Sequence, residues 1–157
     1  KYRHECFVNH AGWLMKVFAN DVSAATRSCL AAPANHISSC LQSIGLMVTN
    51  PSWQQSLYRG DKTEFEEIAW ELCTQFPEGH AQECVIGAID NMLNFDEDDI
   101  SRADRFCELA GAENKDVCYE TIGLNLRRQI IDSNRLRQIC ETLEQEDAVS
   151  CLHGAGI

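Results

Sequence analysis

Apolar residues recur along the chain at spacings that fit one face of a helix. The clearest run is Leu41, Ile44, Gly45 and Val48. Spacings of three and four residues place side chains on one side of an α-helix, whereas a strand would need alternation. The same phase returns at Val85, Ala88, Ile89 and Met92, at Tyr119, Ile122, Gly123 and Leu126, and at Leu152, Ala155 and Gly156. The pattern therefore predicts an all-α protein built from repeated helices.

The cysteines keep the same phase and indicate that the repeating unit is a pair of helices. Eight of the nine cysteines form C-x10-C pairs, which recur after 44, 34 and 33 residues. The pairs are Cys29 and Cys40, Cys73 and Cys84, Cys107 and Cys118, and Cys140 and Cys151. A period in the thirties is typical of helical hairpins that stack on one another. We therefore predict an α-solenoid with a period of about 34 and one cysteine pair in each hairpin.

Capping and turn residues set the expected bounds of the helices. Asp21, Asp99 and Asp132 each lie eight residues before the first cysteine of a pair, where an aspartate can cap a helix N-terminus. Pro or Gly interrupts three of the four segments between paired cysteines, and both residues break helices. The expected helices are 2–18, 21–31, 35–48, 63–75, 80–93, 98–110, 115–130 and 133–144, with a last one from about 147.

These bounds define one helical-repeat domain over residues 1–157. Its expected parts are a half repeat over 1–18, a repeat with a ten-residue insertion over 19–62, repeats over 63–95 and 96–130, and an incomplete repeat over 131–157. Cys6 fits the second cysteine of an earlier unit whose partner lies upstream, although it could also be a free buried thiol. We expect the chain to be an excerpt of a longer array.

The paired cysteines suit disulfide bonds between the two helices of each hairpin. Four zinc sites are the alternative, but each pair would need two further ligands, and histidine does not recur once per repeat. A disulfide that closes so short a loop is worth roughly 3 kcal/mol. Disulfides indicate an oxidising compartment, such as the periplasm, the cell surface or the secreted fraction, and less so the mitochondrial intermembrane space. No cofactor is expected.

Composition excludes two classes of partner. The chain has 157 residues with 24 acids and 13 bases, a formal net charge of −11, and such a protein repels nucleic acid. It lacks an apolar run of about 18 residues, so we expect no membrane span in this segment. Residues 1–62 hold six bases and three acids, whereas residues 63–157 hold seven bases and 21 acids. This asymmetry either solubilises the protein or steers a partner or a second copy.

Candidate functional residues are few. The insertion carries Trp53, Tyr58 and Arg59, residue types that anchor interfaces, although they could equally cover the edge between the first two repeats. His4, Cys6 and His10 are candidates for half a metal site or a catalytic dyad, against a plain structural role. The acidic run at 96–99 fits a helix start or, less well, a calcium site. No catalytic motif is found, and we predict no enzyme.

The twin-cysteine hairpins resemble disulfide-stapled α-hairpin repeat proteins. These include the extracytoplasmic Sel1-like, TPR-related proteins, the twin-cysteine proteins of the intermembrane space, and uncharacterised prokaryotic proteins with C-x-x-G-x-G elements. Residues 151–156 match that element, residues 84–87 match it partly, and residues 6–12 match it loosely. The resemblance implies a stacked α-hairpin fold and no activity.

We therefore expect an extracytoplasmic structural or protein-interaction scaffold. A self-assembling filament or surface subunit is the first alternative, because ends of opposite charge can stack head to tail. An accessory subunit of a periplasmic-facing membrane or redox complex is the second.

Overall fold

A computed structural model describes residues 10–50, 52–54, 65–94 and 100–157. These residues form helices joined by turns, and no strand occurs among them. The helices are α1 (Ala11–Val17), α2 (Val22–Cys29), α3 (Ala34–Val48), α4 (Phe65–Cys73), α5 (Ala81–Leu93), α6 (Ser101–Leu109), α7 (Ala112–Gln129), α8 (Ser133–Cys140) and α9 (Gln145–Ala155), and residues 52–54 add a short helical segment. The predicted all-α repeat fold is confirmed.

The chain divides into two compact units, residues 1–88 and residues 89–157, and the boundary falls within α5. The first unit contains α1 and the hairpin α2–α3, followed by α4 and the first part of α5. The second unit contains the hairpins α6–α7 and α8–α9. The predicted repeat boundaries at 18 and 130 fall in connections between helices, while the single repeat domain over 1–157 stays a prediction.

All four cysteine pairs form disulfide bonds within their hairpins, with Cα–Cα distances of 5.5 to 5.7 Å. The eight cysteines are buried, with no more than 3 % of any residue exposed. Each bond therefore joins the end of one helix to the first turns of the next. The predicted arrangement of one C-x10-C disulfide per hairpin is confirmed.

The four hairpins share one turn geometry. In each, the carbonyl oxygen of the first cysteine accepts a hydrogen bond from the amide three residues later, at 3.0 to 3.1 Å. The donors are Ala32, Phe76, Ala110 and Leu143. Such bonds tighten the last turn and end the helix. The first helices therefore stop closer to their cysteines than expected, most clearly α8, which ends at Cys140 rather than at 144.

Three of the second helices follow a residue in extended conformation. Pro33, Gly111 and Glu144 all have φ between −54° and −60° and ψ between 139° and 159°. Proline fits that φ without strain. Because this single residue completes the turn, α7 and α9 begin at Ala112 and Gln145, earlier than predicted.

Two of the three predicted aspartate caps are described, and both are formed. Asp21 accepts a hydrogen bond from the amide of Ala24 at 2.8 Å, and Asp132 accepts one from Asn134 at 2.9 Å. Asp99 lies outside the described residues. The two caps fix the start of α2 and α8.

The predicted apolar phase forms the core. The position four residues before each first cysteine is no more than 1 % exposed, and it is occupied by Ala25, Ala69, Ala103 and Leu136. The face of the second helices is equally buried at Leu41, Ile44 and Val48 in α3, and at Tyr119, Ile122 and Leu126 in α7. Each hairpin therefore buries one stripe of each helix, as a repeat fold requires.

Candidate functional site

In the first unit, α3 and α5 approach until their backbones touch. A methyl group placed on Gly45 would lie 2.9 Å from the Cα of Cys84. One placed on Gly87 would overlap the carbonyl oxygen of Gln42 and lie 2.8 Å from the amide nitrogen of Leu46. Glycine is required where two backbones come this close. The second helices of consecutive hairpins therefore pack directly on each other.

The second unit repeats this contact between α7 and α9. A methyl group on Gly123 would lie 2.9 Å from the carbonyl carbon of Cys151 and 2.8 Å from the amide nitrogen of Ala155. One on Gly154 would lie 2.7 Å from the Cα of Glu120. In both units, the glycine of the earlier hairpin lies five residues after the second cysteine of that hairpin. The glycine of the later hairpin lies three residues after its own second cysteine. Each unit thus contains one copy of the same glycine-mediated contact.

A cluster of polar side chains joins α6, α7 and α9 in the second unit. The side chain of Tyr119 is buried, and its hydroxyl donates towards Asp104 Oδ1 at 2.8 Å and Glu108 Oε1 at 3.1 Å. Lys115 Nζ lies 3.1 Å from Glu108 Oε1 and 3.2 Å from Asp147 Oδ2. The same ammonium lies 5.7 Å from the centroid of the Tyr119 ring. One lysine therefore bridges carboxylates of two hairpins.

Electrostatics shift the pKa of three groups in this cluster. Burial, followed by the hydrogen bond and charge of Asp104, raises the pKa of Tyr119 well above its usual range. Hydrogen bonds from Lys115 and Tyr119 lower the pKa of Glu108, and hydrogen bonds to Glu108 and Asp147 raise the pKa of Lys115. A tyrosine held protonated and a lysine held charged are poor bases and nucleophiles. The hydrogen bonds and ion pairs of the cluster link α6, α7 and α9.

The candidate interface residue Trp53 is half-buried in the first unit. Its indole Nε1 donates to Asn20 Oδ1 at 3.1 Å, and its amide donates to Asn50 Oδ1 at 3.1 Å. Trp53 thus contacts the turn between α1 and α2. Tyr58 and Arg59 lie outside the described residues, and the interface stays a prediction.

Of the candidate metal ligands, His10 is described and His4 and Cys6 are not. The His10 ring lies against Trp13, with 4.7 Å between the ring centroids. Within 10–50, 52–54, 65–94 and 100–157, no group of three or more His, Cys, Asp or Glu side chains is placed to hold a metal ion. The acidic run at 96–99 also lies outside the described residues.

An exposed feature absent from the sequence predictions lies between α7 and α8. The residue Ile131 is 91 % exposed, and the guanidinium Nη1 of Arg127 donates to its carbonyl oxygen at 3.2 Å. Apolar periodicity could not single it out, because Ile130 next to it is buried. The only sequence signal is an isoleucine immediately before the capping residue Asp132.

None of the described helices is long and apolar enough to cross a lipid bilayer. Comparison of the chain with protein-family models, curated proteins and solved structures finds no match.

Proposed function

We propose that the protein is an extracytoplasmic scaffold that binds other proteins through rigid, disulfide-stapled helical repeats. The observation that carries this proposal is the recurrence of one buried disulfide at the same place in all four hairpins. Helical repeats have no large central core, so their rigidity depends on each hairpin and on its contact with the next. A stapled hairpin presents its exposed side chains at low entropic cost to binding.

The disulfides also support the proposed location. Such bonds persist in oxidising compartments and are rare in reducing ones. We therefore assign the protein to the periplasm, the cell surface or the secreted fraction, with the intermembrane space as a weaker alternative. A likeness to Sel1-like or C-x-x-G-x-G repeat proteins is proposed on the same grounds.

The experiment compares two forms of the same protein as bait. One is the oxidised chain and the other is the chain reduced and alkylated in denaturant and then returned to buffer. We expect a protein from the native compartment to bind the oxidised form and not the alkylated form. Equal binding to both forms would show that the folded repeats are not the binding surface and would overturn the proposal.

Thermal melts give a second check. Reductant should lower the melting temperature, whereas a chelator should leave it unchanged, because the described hairpins are stapled by sulfur–sulfur bonds. Sensitivity to the chelator without sensitivity to reductant would indicate metal-stapled hairpins instead.

The uneven charge of the chain favours a second candidate, self-association. Residues 1–62 carry more bases than acids and residues 63–157 carry three times as many acids as bases, so one copy could meet the next head to tail. Light scattering at low and high salt tests this. Salt-sensitive oligomers would support a filament or surface subunit, and a monomer at both salt concentrations would exclude it. Docking on a periplasmic-facing membrane or redox complex is a third candidate.

A further inference from the structure

A small exposed surface of the second unit combines aliphatic and basic side chains. We call it the α7–α8 corner, and it consists of Leu124, Arg127, Arg128 and Ile131. Leu124 is 46 % exposed and Ile131 is 91 % exposed, while both arginines are exposed. The spacing of three and four residues places Leu124 beside the two arginines on α7. Ile131 lies beside these residues, because its carbonyl oxygen accepts a hydrogen bond from Arg127.

The exposure of Ile131 departs from what its position favours. The residue precedes the capping Asp132, and an apolar residue there usually packs against the fourth residue of the helix. That residue is Leu136, which is fully buried by other contacts, whereas Ile131 remains 91 % exposed. The side chain of Ile131 therefore contributes almost nothing to the stability of the fold, because apolar burial scales with the area removed from water.

Two hydrogen bonds nevertheless flank the backbone at Ile131. Arg127 binds its carbonyl from one side, and the carboxylate of Asp132 binds the amide of Asn134 on the other side at 2.9 Å. Arg128 in turn lies 3.4 Å from Asn125 Oδ1. An exposed apolar side chain on a fixed backbone can bind without a large loss of conformational entropy.

The chain around the corner is also basic, although the second unit as a whole is acidic. Residues 89–157 contain seven bases and fifteen acids, yet residues 127–137 contain four arginines and a single acid, Asp132. One oxygen of that carboxylate caps α8, and the Asp90 carboxylate of α5 lies 3.8 Å from Arg128 Nη1. Arginine guanidinium groups pair with carboxylates through two parallel hydrogen bonds.

We propose that the α7–α8 corner binds an acidic segment of a protein partner, whose carboxylates pair with the arginines and whose apolar residues receive Ile131 and Leu124. This rests on the proposed scaffold function and names one surface for it. Exposed aliphatic groups beside arginine favour a protein over a polyanion, because phosphate and sulfate offer no apolar contact. In the head-to-tail self-association considered above, residues 1–62 supply the less acidic surface, so that contact does not use this corner.

The test selects random dodecapeptides displayed on phage against the oxidised protein. We expect the enriched peptides to contain Asp or Glu together with large apolar residues. Their affinity is then measured by fluorescence anisotropy for Arg127→Glu and Ile131→Asp. Each substitution should weaken binding by about tenfold or more, as expected for an interface anchor.

Two substitutions of the same kind serve as controls. Lys16→Glu reverses an exposed positive charge in the first unit, and Val149→Asp replaces an aliphatic residue of α9 that is 64 % exposed. Both should leave peptide affinity within about twofold, since exposed residues outside the contact contribute little. Circular dichroism and thiol titration establish that all four variants are folded and oxidised.

Several outcomes would overturn the inference. If the peptides bind the Arg127→Glu and Ile131→Asp variants with unchanged affinity, the binding surface lies elsewhere. The scaffold proposal would then stand without this corner. Failure to enrich any acidic peptide would refute the stated partner chemistry. Retention on heparin or RNA that Arg127→Glu abolishes, without acidic peptides, would make the corner a polyanion site. An oligomer that Arg127→Glu dissociates would make the occupant a second copy.

Discussion

Gly154 in α9 lies against the backbone of Glu120 in α7, so closely that a single added methyl group would overlap the glutamate carbonyl oxygen. Gly87 stands in the same relation to Gln42 in the first unit. In both units, the later glycine is three residues beyond the second cysteine of its hairpin. The disulfide and the glycine therefore act on the same helix, one within the hairpin and one between hairpins.

We expect Gly154→Ala and Gly87→Ala to lower the free energy of unfolding by about 1–3 kcal/mol or more. The obstacle in each case is a backbone carbonyl, which cannot rotate away as a side chain can. Urea denaturation followed by circular dichroism measures the loss.

Gly12→Ala is the matched control, because Gly12 lies in α1, is exposed, and has no atom of the described residues within 4 Å of an added methyl group. Alanine should stabilise this position by up to about 1 kcal/mol, owing to its higher helix propensity. Equal urea midpoints for Gly154→Ala and Gly12→Ala would show that α7 and α9 do not touch as described.

Removal of a single disulfide should weaken the repeat without abolishing it. Replacement of both Cys140 and Cys151 by alanine is expected to lower the free energy of unfolding by roughly 3 kcal/mol, the cost of freeing a short loop in the unfolded chain.

The native disulfides should also resist reductant until urea is added, because their sulfurs are buried. Thiol titration over time measures this, and rapid reduction in buffer alone would mean that the hairpins open.

The sequence predicted the hairpins well because their determinants are local. An aspartate cap such as Asp132 and a cysteine eleven residues from its partner act over a turn or two of helix. The apolar period then selects the buried face, which Leu41 and Ile122 occupy as expected. Only the ends of the turns were misplaced, by a few residues, since one extended residue such as Gly111 completes a turn that was expected to be longer.

Contacts between hairpins were not predictable in the same way. Gly123 was visible as part of a periodic face, but its partner Cys151 is close only after the hairpins stack. The bridge from Lys115 to Asp147 likewise joins residues on α7 and α9. Ile131 is exposed although Leu136, its expected packing partner, is buried, and the apolar period does not reveal which residues cover Leu136.

Among the side chains of the polar cluster in the second unit, Lys115 should contribute most to the free energy of unfolding. Lys115→Met would leave the carboxylate of Asp147, a residue only 6 % exposed, without its cation, and we expect a loss of about 1–3 kcal/mol. Lys115→Arg should retain most of the stability, because a guanidinium can reach both carboxylates. Adding Asp147→Asn to Lys115→Met should restore part of the loss, and a double-mutant cycle in urea measures the coupling. Simple additivity of the two changes would contradict the bridge.

The same bridge predicts a loss of stability in acid. Lys115 and Tyr119 lower the pKa of Glu108 in the folded state, so the folded protein holds the charged form more strongly than the unfolded chain does. This contribution is present above the ordinary glutamate pKa and is lost as the pH falls through the lowered folded value. In Lys115→Met, urea midpoints should fall less steeply over that acidic range. An unchanged slope would mean that Glu108 gains nothing from the lysine.

Asp90 should have a pH dependence of the opposite sign. Burial raises the pKa of its carboxyl, although a hydrogen bond with Asn125 and the charge of Arg128 act to lower it. The Oδ1 atom of Asp90 lies 3.8 Å from Arg128 Nη1 and has no hydrogen-bond partner among the described residues. A raised folded pKa means that the protonated acid is favoured on folding. This contribution is fully present below the unfolded pKa and is lost as the pH rises through the folded value.

At neutral pH the charged carboxylate of Asp90 therefore destabilises the folded state. We expect Asp90→Asn to leave the free energy of unfolding unchanged or to raise it by less than about 1 kcal/mol, because folding then buries a neutral amide and no charged carboxylate. The advantage of the variant should shrink as the pH falls and the native carboxyl becomes protonated. Asp116→Asn, on the exposed face of α7, is the matched control for a carboxylate replaced by an amide. A loss of more than about 1 kcal/mol at neutral pH for Asp90→Asn would mean that the attraction of Arg128 outweighs the cost of burial.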